Sequence, residues 1–337
     1  MNIANWLNQK KYQYDVFLRP FSFFRKTNII LRKLMNNLPW MSAPNTLILG
    51  VTDRCQLDCV HCGIERSLNS SKKELSTEEV IKVIFQAYKL GVYFVNFTGG
   101  EPLLREDISE LVEYTAKKGL ITAVSTNALL LTREKIRQLK NRGLTFINIS
   151  IDSSYPKIHD KFRKRIGLFE KAKKAISMCV EENITVFVSV CVSKENICRK
   201  DEIPSIIKLA RELKAKGVVL LFAIPGGKWL NSCEMMLSQQ EKKYINGLLD
   251  PCYVHLEAIC SYYSRCNAVL KKLFYVSPYG DIQPCNFVPL RFGNVRENSL
   301  VILWRKMNGH LLYKVIDSSD CVMRNQQFRK RYIDNAI

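Results

Sequence analysis

Cys55, Cys59 and Cys62 are the side chains of this sequence best suited to chemistry. They stand in the run Thr52-Asp53-Arg54-Cys55-Gln56-Leu57-Asp58-Cys59-Val60-His61-Cys62, a Cys-x3-Cys-x2-Cys spacing that puts three thiolates on one short loop. A cubane [4Fe–4S] cluster takes four thiolate ligands. A local set of three therefore leaves one iron without a protein partner and open to a substrate-like molecule. The alternatives are a zinc loop or a group of reduced structural cysteines. Zinc sites usually take four ligands in pairs, and no second pair stands near this loop.

The chain must position those thiolates, and its 337 residues allow one large domain plus a smaller one. No uncharged apolar run approaches the roughly 18 residues needed to span a bilayer. Polar and charged residues interrupt any signal-peptide core, so the expected location is cytoplasmic. The 12 cysteines then read as metal ligands and reduced thiols rather than a disulfide framework. The net charge of +20 fits an anionic substrate, an anionic membrane surface or a basic host proteome. Lysines and arginines are spread throughout with no aromatic-interleaved single-strand-binding signature, which argues against nucleic acid.

From about residue 46 to 226 strand and helix patterns alternate. Apolar β-rich runs cover residues 47–51, 93–97, 121–125, 146–151, 185–192 and 218–224, with helical patterns at 77–90, 108–118, 132–142, 168–182 and 202–216. Ser76-Thr77-Glu78-Glu79 has the form of a helix start, and Gly91, Gly119, Gly143 and Gly217 stand where helices should end. Repeated βα units imply a parallel sheet with right-handed crossovers. In such barrels the active site is built at the C-terminal strand ends. The notable residues fall there: the cysteine loop after strand 1, Thr98-Gly99-Gly100-Glu101-Pro102 after strand 2, Ser125-Thr126-Asn127 at strand 3, Ser150-Ile151-Asp152 at strand 4 and Pro225-Gly226-Gly227 after strand 6.

The cysteine spacing, the Gly-Gly-Glu-Pro run and the βα rhythm together resemble the radical S-adenosylmethionine (radical SAM) superfamily. The resemblance implies an α/β fold: a partial (β/α)6 TIM-like barrel. It also implies that the open iron of a [4Fe–4S] cluster chelates SAM, whose reductive cleavage yields a 5′-deoxyadenosyl radical that abstracts hydrogen from substrate. A low-potential electron donor such as flavodoxin or ferredoxin, and an anaerobic or oxygen-protected setting, follow from that chemistry. Residue by residue, the resemblance puts Gly99, Gly100 and Glu101 at SAM's amino group, and His61 near the adenine. Ser125, Asn127, Ser150 and Asp152 would meet the ribose and carboxylate, and Arg163 would pair with the carboxylate. Against these stand plainer readings: Gly100 as a structural turn, Asp152 as a turn former, and Arg163 as a solvated residue among Lys161, Lys164 and Arg165. His159 reads as a packing or loop histidine.

After about residue 231 the βα rhythm stops. Cys266 and Cys285 flank Gly280 in a Cys-x13-Gly-x4-Cys pattern, and residues 274–282 read as a hairpin turning at Pro-Tyr-Gly-Asp. With Phe292-Gly293-Asn294-Val295 and a helix-like 300–307, this resembles the SPASM/Twitch extension, a small α+β Fe–S-binding unit at the C-terminus. The extension implies one auxiliary [4Fe–4S] cluster held by Cys266, Cys285 and Cys321, with Cys260 or Cys252 as fourth ligand or none. Arg324 stands where the second cysteine of a Cys-x2-Cys pair would be. A zinc site is the alternative. Cys179, Cys191, Cys198 and Cys233 read as free thiols, Cys191 near the barrel rim.

The expected domains are an arm over residues 1–45, the barrel over 46–231 and the auxiliary unit over 232–337. The arm alternates aromatic and basic residues, with Asp15 its only acid. A basic amphipathic helix over 28–36 would either pack across the barrel or touch a membrane surface peripherally. The arm is short for the leader-binding domain of many peptide-modifying relatives, which favours a small-molecule substrate, to be oxidised or joined through a new bond. The other expectations are a peptide or protein maturase, a lipid-modifying enzyme at the membrane, and a non-catalytic electron carrier. A pure carrier needs no SAM pocket.

Overall fold

The computed structural model describes residues 10–12, 15, 23–36, 43–63, 72–199, 201–256, 266–311, 313 and 321–333. In chain order the elements begin with α1 (Phe23–Met35), β1 (Thr46–Gly50), α2 (Thr77–Leu90), β2 (Phe94–Thr98), α3 (Ile108–Lys117), β3 (Ile121–Thr126) and α4 (Arg133–Asn141). There follow β4 (Phe146–Ser150), α5 (Pro156–Arg163), α6 (Leu168–Glu181), β5 (Thr185–Val192), α7 (Lys194–Ile197), α8 (Glu202–Glu212) and β6 (Gly217–Phe222). The C-terminal part adds α9 (Gln239–Gly247), β7 (Val254–Leu256), β8 (Leu273–Val276), β9 (Ile282–Gln283), α10 (Leu300–Asn308) and α11 (Gln326–Tyr332).

Local chemistry sets these boundaries. At α2 the Ser76 hydroxyl accepts from Glu79 N–H while the Glu79 carboxylate accepts from Ser76 N–H, a closed capping box. Gly91 ends the helix at φ 106°, a conformation only glycine adopts without strain. The sequence pattern omits α5, whose eight residues start with a proline at the first turn.

The six expected strands form, and the sheet continues past them on both sides. Its order is β7-β6-β5-β4-β3-β2-β1-β8-β9. All neighbours are parallel except β8 and β9, which form the expected hairpin with Tyr275 opposite Gln283. β8 therefore lies beside β1, with Thr46 opposite Leu273 and Leu49 opposite Val276. The architecture is an α/β partial barrel with a C-terminal extension joined to its first strand.

Side chains alternate between two environments. Val95 and Phe97 of β2 are buried toward the helices, while Asn96 faces the lumen, where Ser125 donates to its carbonyl (3.1 Å) and Asn148 donates to Ser125 (3.1 Å). The bottom of the lumen is filled by aromatic rings, Phe146 packing on Phe94 (5.6 Å) and Phe187 (5.4 Å). The arm contributes Tyr12 to this plug, its hydroxyl donating to Lys216 C=O and meeting His255 Nε2 at 3.1 Å. Arg32 of α1 donates to Tyr88 C=O at 2.7 Å and lies over the Tyr88 ring. The arm thus packs on the barrel, while Ile30, Leu31 and Leu34 are exposed. No helix among the described residues is long and apolar enough to cross a membrane.

Candidate functional site

The cysteine loop leaves β1 and is held down by backbone contacts on three sides. Gly100 N–H donates to Thr52 C=O (2.7 Å) and Glu101 N–H to Arg54 C=O (2.8 Å). Val60 N–H donates to Phe162 C=O (3.0 Å), and Lys228 N–H to Cys62 C=O (2.9 Å). Exposed Asp58 lies between Lys228 and Lys164, whose hydrogen bonds hold its carboxyl down at about 2. Glycine is required where this loop lands. A Cβ at Gly99 would collide with Thr52 C=O, and one at Gly100 with Arg54 C=O. The Gly-Gly pair thus admits the cysteine loop's backbone as well as facing the cavity.

One cavity of about 450 Å3 is lined by Cys55, Cys59 and Cys62 and also by Cys266, Cys285 and Cys321. Of the residues singled out in the sequence, His61, Gly99, Gly100, Ser125, Asn127, Ser150 and Arg163 line it too, whereas Glu101 and Asp152 do not. Asn127 Nδ2 lies 3.8 Å from Cys55 Sγ, and Arg163 Nη1 lies 4.0 Å from Cys59 Sγ. Burial pushes the Cys59 thiol up, and the Arg163 guanidinium opposes that rise.

Glu101 is fully buried and its carboxylate accepts three hydrogen bonds: from Thr126 Oγ1 (2.7 Å), Leu103 N (3.1 Å) and Asn127 N (2.9 Å). It ties the end of β2 to the end of β3. Asp152 is likewise set back from the cavity lining. It is buried, accepts from Arg163 Nε at 2.6 Å and Cys191 N at 2.8 Å, and positions Arg163. Arg163 is therefore a buried, paired cation and not a solvated helix residue. His159 packs as expected: its Nδ1 accepts from Asp152 N–H at 3.1 Å. His61 stacks on Phe162 with ring centroids 4.4 Å apart, and burial and then Arg163 push its pKa down to about 3.

The C-terminal thiols meet through β8 and β9. Cys266 precedes β8, Cys285 follows β9, and Cys321 opens a 3-10 turn over Val322–Arg324. Burial, then Cys285 and Cys266, push the Cys321 thiol well up. Cys260 lies outside the described residues. Cys252 packs instead against the barrel-bottom cluster that contains Tyr12 and Phe146, and does not line the cavity.

These residues suit Fe–S groups and a polar ligand. Metal binding takes thiols in their deprotonated form. His61, which lines the cavity, keeps Nδ1 buried with no hydrogen-bond partner among the described residues, an atom that a bound group would satisfy. Sequence reading missed Asn96, Ser189 and Trp229, which also line the cavity. A polar residue at a lumen-facing register, as in Phe94-Val95-Asn96-Phe97-Thr98, is the signal that marks the first of them.

A sequence model of the Radical SAM superfamily matches residues 49–210, and one of SPASM, an iron-sulfur cluster-binding domain, matches 266–329. The chain is 27% identical over 307 residues to an AdoMet-dependent heme synthase of Methanosarcina barkeri (strain Fusaro / DSM 804), covering 83% of this chain and 86% of that protein. It is 28% identical over 295 residues to a PqqA peptide cyclase of Rhizobium meliloti (strain 1021), covering 82% and 78%. Among solved structures, Streptococcus suis SuiB bound to precursor peptide SuiA superposes with a TM-score of 0.65 at 17% identity, over 90% of this chain and 72% of that one.

Proposed function

Because the chain belongs to the radical SAM superfamily and carries a C-terminal SPASM domain, we propose that it uses SAM-derived radical chemistry on a small molecule held in the shared cavity. The family brings a SAM-binding [4Fe–4S] cluster, SAM and auxiliary Fe–S. When bound, they supply a 5′-deoxyadenosyl radical and an electron acceptor. The observation that carries the reading is that both thiol sets line one cavity of about 450 Å3, inside the size range of small-molecule sites.

The protein's own residues would do the following. Cys55, Cys59 and Cys62 hold the first cluster and leave its fourth position to SAM. Cys266, Cys285 and Cys321 hold an auxiliary cluster. Gly99 and Gly100 offer backbone to the SAM amino group, and Ser125, Asn127 and Ser150 offer short polar groups to its ribose and carboxylate. His61, neutral at pH 7, presents a flat face beside Phe162 and Trp229 for an adenine. Held by these residues, the groups would together supply the means for a net oxidation of the substrate or for bond formation on it. A low-potential donor, flavodoxin or ferredoxin by class, resupplies the first cluster.

Peptide substrates are the second reading, favoured by likeness to a peptide cyclase and by the fold shared with SuiB. The test is anaerobic reconstitution, with iron and sulfide counted and SAM cleavage by dithionite followed as 5′-deoxyadenosine. About eight irons per chain are expected for two cubanes, with cleavage abolished in a Cys55/Cys59/Cys62→Ala variant. Iron without cleavage overturns the proposal and leaves an electron-transfer protein.

A further inference from the structure

The parallel sheet sorts the molecule into two ends. The cavity opens where the strands finish, and α2, α3, α4 and α8 finish at the other end, where the strands begin. α1 lies across that second end. Ile29 is buried there with Tyr93, Ile121 and Phe146, and Asn36 Nδ2 donates to Gly91 C=O at 2.9 Å. At about 100° per residue, the opposite face of α1 carries Ile30, Leu31 and Leu34, which are 42%, 53% and 62% exposed. Lys89, Lys118, Lys140, Lys214 and Lys216 stand at or just past the C-terminal ends of the four barrel helices. None of the five is in an ion pair among the described residues, whereas Glu113, Glu181, Glu182 and Glu212 at the same end are each paired with an arginine or lysine. An apolar helix face thus shares its end of the barrel with a surplus of positive charge, on a chain whose net charge is +20.

We infer that this end of the barrel docks on an anionic lipid bilayer. α1 lies in the interface with Ile30, Leu31 and Leu34 among the upper acyl chains, and the lysines meet the headgroups. Long lysine stems suit that role, because they cover apolar surface while the ammonium stays in water. A protein partner fits less well. Three aliphatic side chains offer far less than the roughly 800 Å2 per partner of a stable protein interface. They also include none of the Tyr, Trp or Arg anchors that dominate such interfaces. Bilayer binding instead adds a small apolar insertion to an attraction gained from each lysine near the surface. The cavity mouth then points away from the lipid, so the docking tethers the enzyme while substrate still arrives from water. The inference does not depend on the chemistry proposed for the cavity.

The test mixes the full chain with vesicles of equal parts phosphatidylserine and phosphatidylcholine, or of phosphatidylcholine alone, and measures bound protein by flotation. Binding to the anionic vesicles only, weakened by added salt, is expected. Ile30/Leu31/Leu34→Ser should weaken it at least about tenfold, and Lys89/Lys118/Lys140→Gln to a similar degree. None of these six residues lines the cavity, so iron content on reconstitution should match the unmodified protein in both variants. Leu31→Trp should add a blue-shifted emission on binding that brominated lipid quenches. No flotation with anionic vesicles at low salt overturns the inference. Flotation that survives Ile30/Leu31/Leu34→Ser also overturns it, in favour of adhesion through charge alone. Self-association, or binding of an acidic protein such as flavodoxin, lost in that same variant while vesicles stay unbound would give the face to a protein and overturn the inference as well. SAM cleavage does not enter these outcomes and tests the proposed function alone.

Discussion

A carboxylate as buried as Asp152 stays ionised because its surroundings outweigh the desolvation. Burial pushes its pKa up, and Arg163, then His61 and His159, bring it down to about 2. A carboxylate depressed in the fold stabilises it above the ordinary carboxylate range and loses that contribution only as pH falls through about 2. The pair is thus constant at working pH, and its energetics show in mutation instead. Asp152→Asn should cost about 3–5 kcal/mol by leaving Arg163 buried and uncompensated. The double variant with Arg163→Met should cost less than the sum of the single changes in urea unfolding of the metal-free protein. Strict additivity would show that the two do not act as a pair. His159 behaves oppositely with pH. Burial chiefly holds it near 4, so the unfolded chain takes its proton first as pH drops below about 6.5. Stability should fall by about 2 kcal/mol between pH 7 and 5 from this residue. His159→Asn should flatten the dependence of thermal unfolding on pH over that window. At this scale the spacing of the thiols is legible in the sequence, whereas the hydrogen-bond partners of the acids are not. Glu101 and Asp152 stand at strand ends where ligands are met, yet hydrogen bonds from residues far along the chain claim both carboxylates.

Elements were legible where a period ran long enough to count. The helices over Thr77–Leu90 and Leu168–Glu181 carry full amphipathic turns, and their predicted limits match the structure to within a residue. α5 escaped because Asp152-Ser153-Ser154-Tyr155-Pro156 reads as a turn, although the helix it starts delivers Arg163. β7 escaped because three residues carry no period. The loop between β2 and α3 shows how glycine acts at this scale. Gly100→Ala should push the Arg54 carbonyl away and with it the first thiol of the loop. The expected result is a lowered iron content after reconstitution with the C-terminal iron retained, measured by iron analysis and electron paramagnetic resonance. An unchanged iron stoichiometry would show that the loop can move aside without losing its ligands.

Across the whole molecule the two thiol sets share a cavity but are anchored by different parts of the sheet. The first set leaves β1, and the second surrounds the β8–β9 hairpin. A Cys266/Cys285/Cys321→Ala variant should lose about half its iron and still release 5′-deoxyadenosine with dithionite, since the first set and its pocket are untouched. Loss of SAM cleavage together with that iron would mean the two sites cannot be filled independently. No local pattern in the sequence announces that β8 lies against β1, because parallel pairing across such a separation is fixed only by the folded sheet.

That pairing has a consequence for the order in which the protein is made. β1 leaves the ribosome before the other described strands, and the strand that covers its free edge is more than 200 residues behind. At roughly 5–20 residues per second, the edge beside the first three cysteines waits on the order of 10–40 seconds for its partner. During that interval it is an open template for other strands. A nascent chain stalled short of residue 273 should therefore aggregate or recruit a chaperone, whereas one released past residue 283 has its edge closed.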